Sequence, residues 1–380
     1  MRAGKSFTIR IFLITLALLT TLTPSASAQS LFRYAPATQW GYTFAGPATT
    51  VSTSTPAKSG SLERKSVIEV NFKNFPEWAK DELQLAVDVW SRNFESKVTI
   101  TIDATWSTSQ SVAVLGSARP GGYFAGFSGA PDSSLWYPSA LANALAGKDL
   151  DVRNSEMLIN VNARAAWNRR GDSAPTTREY DLQSVFLHEM AHGLGFLSND
   201  AYDPILGFGS IEQPTPFDAF AQTEDGRRLA DLPSPSIELG KALRSPLVWS
   251  GPKAIAVNKG VKPLLYSPSS YEIGSSVSHL DEKTFSGSAQ DAVMTPNLDA
   301  GEIFHDPGPL LLAMMDDMRS KPPVGVAVEL PTVVRNAQAV ISDGAAIVKW
   351  DPPANLRTAQ VSAYTCLLYT SDAADDLTRV

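Results

Sequence analysis

The stretch HEMAHGLGFLSND, His188 to Asp200, decides how this chain is read, because two of only four histidines in 380 residues stand here four positions apart. On a helix four residues turn through about 400°, so both imidazoles leave one face, about one turn apart. At that spacing both ring nitrogens can reach a single Zn²⁺ at roughly 2.0–2.1 Å. Glu189 lies one step round the helix, beside such an ion and outside its ligand set. It can take a proton from a water that the metal acidifies and pass it to a leaving amine, which is metal-assisted hydrolysis of an amide. Histidines held in a core by hydrogen bonds alone would give Glu189 no reason to stand beside both. With so few histidines a chance H-E-x-x-H is improbable, so Zn²⁺ is the expected cofactor.

Catalytic zinc ordinarily takes three protein ligands and keeps a fourth position open. The longer pattern H-E-x-x-H-x-x-G-x-x-H is followed through Gly195, which lets the chain turn out of the helix, and fails at Ser198, whose hydroxyl is a poor ligand. Four residues are candidates for the third position. They are His279 in SSVSHLDE, His305 in GEIFHDPGP, Asp200, and Glu238 in PSIELGKAL.

Outward from the motif, YDLQSVFLHEMAHGLGF reads as a helix capped by Asp181 and ended by Gly193 and Gly195. Upstream, SVIEVNF and KVTITIDATW read as strands flanking the helical PEWAKDELQLAVDVWSRNF, where Pro76 suits a first turn and Ala79, Leu83, Ala86, Val87 and Trp90 recur at helical spacing. A right-handed crossover makes those two strands parallel. SEMLINVNA is a further strand, and residues 107–150 read as loops and short strands. Downstream, residues 196–278 are rich in turns, with one short helix at PSIELGKALRS. The helix GPLLLAMMDDMRS carries Met314, Met315 and Met318 as core residues and stops before Pro322 and Pro323.

The ends differ from this body. Arg2, Lys5 and Arg10 precede the apolar run IFLITLALL and the small-residue pattern Ala26-Ser27-Ala28, so residues 1–28 read as a secretory signal peptide, placing the protein outside the cell or in the periplasm. Thr15, Thr20, Thr21 and Thr23 leave that run too short for a stable membrane anchor. Residues 29–62 are rich in Ser, Thr, Pro, Ala and Gly and read as a flexible leader or pro-segment. Residues 322–328 read as a linker, and 329–365, with alternating Ala346, Val348 and Trp350, as the start of a fibronectin type III-like β-sandwich, which needs about 90–100 residues to close. The tail 366–380 resembles translated vector sequence. Its Cys366 is the only cysteine, so the body is held by packing alone. A net charge of −7 and a pI near 5.2 provide no field to attract nucleic acid.

Fifteen residues after His279 comes Met294 in VMTP. Together HEMAHGLGF, SHLDE and VMTP resemble the leishmanolysin family of metzincin zinc peptidases over about residues 65–320. In that family a large insertion separates the helix from the third histidine, and a methionine turn follows. The resemblance implies an α+β zincin-type fold over 63–321, with a mixed twisted sheet and active-site helix in 63–197 and an irregular subdomain in 198–321. It implies His188, His192 and His279 as zinc ligands, Glu189 as general base and acid, and Met294 packed under the metal without binding it. Leishmanolysin-like proteins are kept latent by a pro-segment cysteine, which this chain lacks before residue 366. Tyr266 and Tyr271 are the tyrosines upstream of His279, read here as half-buried surface aromatics.

The expectation is a secreted, monomeric zinc endopeptidase acting on proteins and peptides. Substrate is expected to add as a strand to a sheet edge supplied by GGYFAGF or SEMLINVNA. The competing expectation is a secreted adhesion or surface-binding protein that uses a zincin-like domain as a scaffold.

Overall fold

A computed structural model describes residues 32–48, 54–55, 63–169, 175–288, 290–326, 334–342 and 345–351. The signal peptide and the 366–380 tail lie outside these residues. The chain opens with strands β1 (Arg33–Pro36), β2 (Gly41–Ala48) and β3 (Ser54–Thr55). The expectation of an unstructured leader at 29–62 is therefore corrected for these segments. Their Gly, Pro and Ala content is poor in intrinsic strand preference, but strand formation is settled by neighbours, and β2 has a partner on each side.

Strand β4 (Ile68–Lys73), helix α1 (Glu77–Asn93) and strand β5 (Ile100–Ser107) form the crossover unit read from the sequence, with β4 and β5 parallel. Helix α1 buries Ala79, Leu83, Ala86, Val87 and Trp90, the residues whose spacing marked it. Then come β6 (Val114–Pro120), β7 (Gly122–Ala125), β8 (Tyr137–Pro138), α2 (Ser139–Ala146) and β9 (Met157–Asn162). Helix α3 (Leu182–Leu194) carries the histidine pair.

The lower part holds the hairpin β10 (Asp200–Asp203) and β11 (Phe208–Ile211), α4 (Pro216–Phe220) and β12 (Ala221–Thr223). It continues through α5 (Ile237–Ala242), β13 (Leu247–Trp249), α6 (Pro252–Val257), β14 (Leu264–Leu265) and α7 (Glu282–Phe285). It closes with β15 (Asn297–Ala300), β16 (Ile303–Phe304) and α8 (Gly308–Asp317). Asp317 fastens α8 to α6, accepting hydrogen bonds from the Trp249 indole and from the main-chain N–H groups of Lys253 and Ala254 at 3.0–3.1 Å. A hairpin, β17 (Arg335–Ser342) with β18 (Ala345–Asp351), is what the described residues hold of the stretch 329–365.

The main sheet has the order β15-β2-β6-β9-β5-β4. Strand β6 is antiparallel to both β2 and β9, while β9-β5-β4 run parallel, as does β15 with β2. Helices α1 and α3 pack together, with α3 against β6 and β9, and the Trp90 indole donates to the Leu187 carbonyl at 3.0 Å. One apolar core runs from Ile68 to Met318, so the upper and lower parts share an interior. The architecture is a mixed α+β fold.

The two segments proposed from sequence as substrate-binding edges are both internal. SEMLINVNA supplies β9, which lies between β6 and β5, and GGYFAGF supplies β7, which lies between β1 and β8. An alternating or apolar strand pattern reports burial on the faces and carries no information about whether the edge is paired.

Candidate metal centre

The placement of α3 begins at its ends. The Asp181 carboxylate accepts from the Ser184 N–H at 2.8 Å and the Ser184 hydroxyl at 2.6 Å, which satisfies a donor at the helix start that has no partner within the helix. At the far end Gly195 has φ +126°, a region that L side chains avoid, and its N–H bonds back to the carbonyls of Ala191 and His192. A Cβ there would also stand 3.0 Å from Pro138 Cγ. Every residue of α3 is buried, so the histidine pair projects into the protein and not onto a surface.

The third histidine comes from 87 residues beyond His192 along the chain. The His279 carbonyl accepts from Tyr266 N–H at 2.8 Å, and the next residue, Leu280, donates its N–H to the Met294 carbonyl at 2.8 Å. Val277, fully buried two residues earlier, has φ +69°. A β-branched residue in that region costs on the order of 1–3 kcal/mol, which the surrounding packing must offset, and such strain clusters where a chain must aim a functional group.

The three imidazoles converge through their Nε2 atoms. His188 to His192 is 3.0 Å, His188 to His279 is 3.1 Å and His192 to His279 is 3.2 Å. Each Nδ1 faces a main-chain carbonyl, His188 to Val293 at 2.6 Å, His192 to Phe196 at 2.7 Å and His279 to Ser275 at 2.8 Å. A carbonyl only accepts, so each Nδ1 carries the proton and each Nε2 presents a lone pair. Three lone pairs facing one another at about 3 Å, with water excluded, repel unless a cation lies between them. A tetrahedral ion with bonds of about 2.0–2.1 Å sets its ligand nitrogens roughly 3.3–3.4 Å apart, close to what these residues adopt. Burial also lowers the affinity of the rings for protons, bringing His192 down to about 4, and lowers His188 and His279 well below the ordinary value with neighbouring imidazoles adding to the effect. They are neutral at physiological pH, the form a metal requires. These residues could hold a metal ion.

Glu189 is fully buried beside this cluster. Its Oε1 accepts from the Thr43 hydroxyl at 2.6 Å and the Thr43 N–H at 3.2 Å, while Oε2 has no hydrogen-bond partner. Burial pushes its carboxyl up to about 8, against the opposing effect of the Thr43 hydrogen bonds. An unpaired buried carboxylate oxygen is costly and calls for a function or a missing partner. Sequence reasoning missed Thr43 and its neighbours Gly41 and Tyr42, because they sit in the segment read as a leader. A Cβ on Gly41 would stand 2.4 Å from the His192 ring, so the strand passes directly over that imidazole.

The other candidates lie elsewhere. His305 bonds through Nε2 to Asp181 at 2.8 Å and supports the start of α3. Glu238 pairs with Arg227 on the partly exposed face of α5. Asp200 is buried near Asp218 and Tyr271, outside the histidine cluster. Ser198 is no ligand either, but its N–H donates to the Ser278 hydroxyl at 3.1 Å, tying the helix exit to the neighbour of His279. Met294 is fully buried at the end of a short 3-10 turn, Ala292–Met294, whose Val293 carbonyl holds His188 and whose Met294 carbonyl holds Leu280. The Tyr266 hydroxyl donates to Glu272 at 3.0 Å, and Tyr271 packs at a tilt of 37° against Tyr202 with ring centroids 5.3 Å apart.

Compared with protein-family models, curated proteins and solved structures, the chain finds no match in any of the three.

Proposed function

We propose that the chain is a secreted zinc endopeptidase with a leishmanolysin-like metzincin body. One observation carries this reading: three neutral imidazoles aim their lone pairs at one point beside a buried, half-satisfied carboxylate. His188, His192 and His279 would hold the zinc. When bound, the ion supplies Lewis acidity that acidifies a water and polarises a peptide carbonyl.

The chain's own residues supply the rest. Three main-chain carbonyls fix the imidazole tautomers and orientations, which keeps all three lone pairs available. Glu189 holds and moves the proton: its carboxyl, unusually basic for a glutamate, accepts one at Oε2 and returns it to the departing amine. Close packing around α3 excludes bulk water, which strengthens each of these electrostatic contacts.

A scaffold role, with a structural zinc and surface-binding activity, has less support. A structural site has no use for a general base, and burying Glu189 costs stability without return in a purely binding protein. The test is metal analysis combined with a zymogram on a denatured protein, with and without chelator. The expected outcome is about one zinc per chain and chelator-sensitive hydrolysis that falls by roughly 10²–10⁴-fold in Glu189→Ala while zinc is retained. Hydrolysis undiminished in Glu189→Ala, or a chain without zinc, refutes the proposal.

A further inference from the structure

We infer that the strand Gly41–Ala48 is a built-in occupant of the peptide cleft, laid across the metal centre like a substrate and keeping it closed until that segment is cut away or displaced. This rests on the endopeptidase reading only for what the cleft is for. The closure itself is a property of the fold.

The residues of the centre are sealed: His188 is 2% exposed, and Glu189, His192 and His279 are 0% exposed. No peptide bond can touch them in this state. What lies over them is β2. Gly41 packs on the His192 ring, the Tyr42 main chain lies against His279, and Thr43 occupies Glu189 Oε1 with both its N–H and its hydroxyl.

The segment is held as an extended peptide is held. It runs antiparallel to β6, and its N–H groups go alternately to either side of a cleft. Tyr42 donates to Gly274 at 3.1 Å, Phe44 to Pro296 at 2.9 Å, and Ala45 to Ala113 at 2.8 Å on the β6 side. The Tyr42 ring lies over Gly274, five residues before His279. Main-chain pairing to an exposed strand with side chains in flanking recesses is how sheets bind foreign peptides. Here the peptide comes from the same chain.

The strand also contributes little to the apolar core of the body it covers. The apolar core is built from Ile68 to Met318, and of β2 only Ala45 packs against it, partly buried. Loss of β2 therefore uncovers the centre and frees its two sheet neighbours, β6 and β15, while taking only the Ala45 contact from the apolar core.

The experiment uses the full chain with the recognition sequence of a site-specific protease placed between Ala48 and Arg64. The metal-free chain is treated with diethyl pyrocarbonate before and after the cut, and modification of each histidine is followed by mass spectrometry, with His305 as an internal reference outside the cluster. The expected result is loss of the N-terminal piece and at least tenfold faster modification of His188, His192 and His279, with His305 little changed. In the zinc-loaded chain, hydrolysis of an unfolded protein is expected to rise at least tenfold after the cut. Unmasked histidines without any gain in hydrolysis support the closure and count against the endopeptidase reading. Histidines still protected after the cut, whether or not the piece departs, overturn the inference and make β2 a permanent part of the body. Should the cut chain unfold, the uncut Tyr42→Gly/Thr43→Val double variant decides: with unchanged circular dichroism it is expected to show severalfold faster modification of the three histidines, and an unchanged rate overturns the inference.

Discussion

Each imidazole of the cluster has its Nδ1–H committed to a carbonyl, and the arrangement follows from that: the remaining lone pairs can only face one another or a cation. At the residue scale the sequence was informative about chemistry and silent about surroundings. His188, Glu189 and His192 could be read from one helical turn, but the partner of Glu189 could not, because Thr43 lies 146 residues away and nothing in GYTF announces a contact. A second buried carboxylate gives a test independent of metal. Burial pushes Asp200 up to about 7, with Asp218 raising it further. Its folded value lies above the unfolded one, near 3.9. Its favourable contribution is therefore fully present below about pH 4 and is lost as pH rises toward 7, at about 1.4 kcal/mol for each pH unit between the two values. Asp200→Asn is expected to flatten the decline in melting temperature between about pH 4.5 and 7.5. Parallel pH profiles for the two proteins would show that this carboxyl is not perturbed.

Among the elements, α1, α3, β4, β5 and β9 were legible, because each combines a clear period with end signals such as Pro76, Asp181 and Gly195. Strand β2 was not, since Gly41, Gly46 and Pro47 argue locally for a turn and only β6 and β15 make them a strand. The edge assignments failed for the same reason: β7 and β9 look alike from sequence whether their flanks are paired or free. The ends of α3 are the sensitive points of the site. Asp181→Ala removes the acceptor of Ser184 and the partner of His305, and is expected to cost about 1–2 kcal/mol, seen as a melting temperature lower by roughly 2–8 °C. Gly195→Ala is expected to cost at least as much, since it adds strain at φ +126° to the contact with Pro138. A neutral effect at either position in thermal unfolding would mean that the helix is fixed by its packing alone.

Over the whole molecule the decisive fact is topological. A stretch rich in turns brings His279 back to within 3.2 Å of the helix histidines, and Ser198, where the longer pattern expects a histidine, is bonded to Ser278 beside His279. Spacing alone left His279, His305, Asp200 and Glu238 open, since distance along a chain does not report distance in space, and the likeness to leishmanolysins favoured the first. A shared core from Ile68 to Met318 couples the two halves, so a metal bridging α3 and the 279 loop is expected to stabilise both. At free zinc about 100 times its Kd the gain is about 2.7 kcal/mol, and a chelator is expected to lower the melting temperature by several degrees in one cooperative transition. The most direct test of the account is X-ray absorption at the zinc edge together with metal analysis of the purified full chain and of His279→Ala. The account predicts about one zinc per chain with three imidazole nitrogens at roughly 2.0–2.1 Å, lost in His279→Ala. A chain that takes up no zinc, or a His279→Ala variant that holds it equally well in the same coordination, would contradict it.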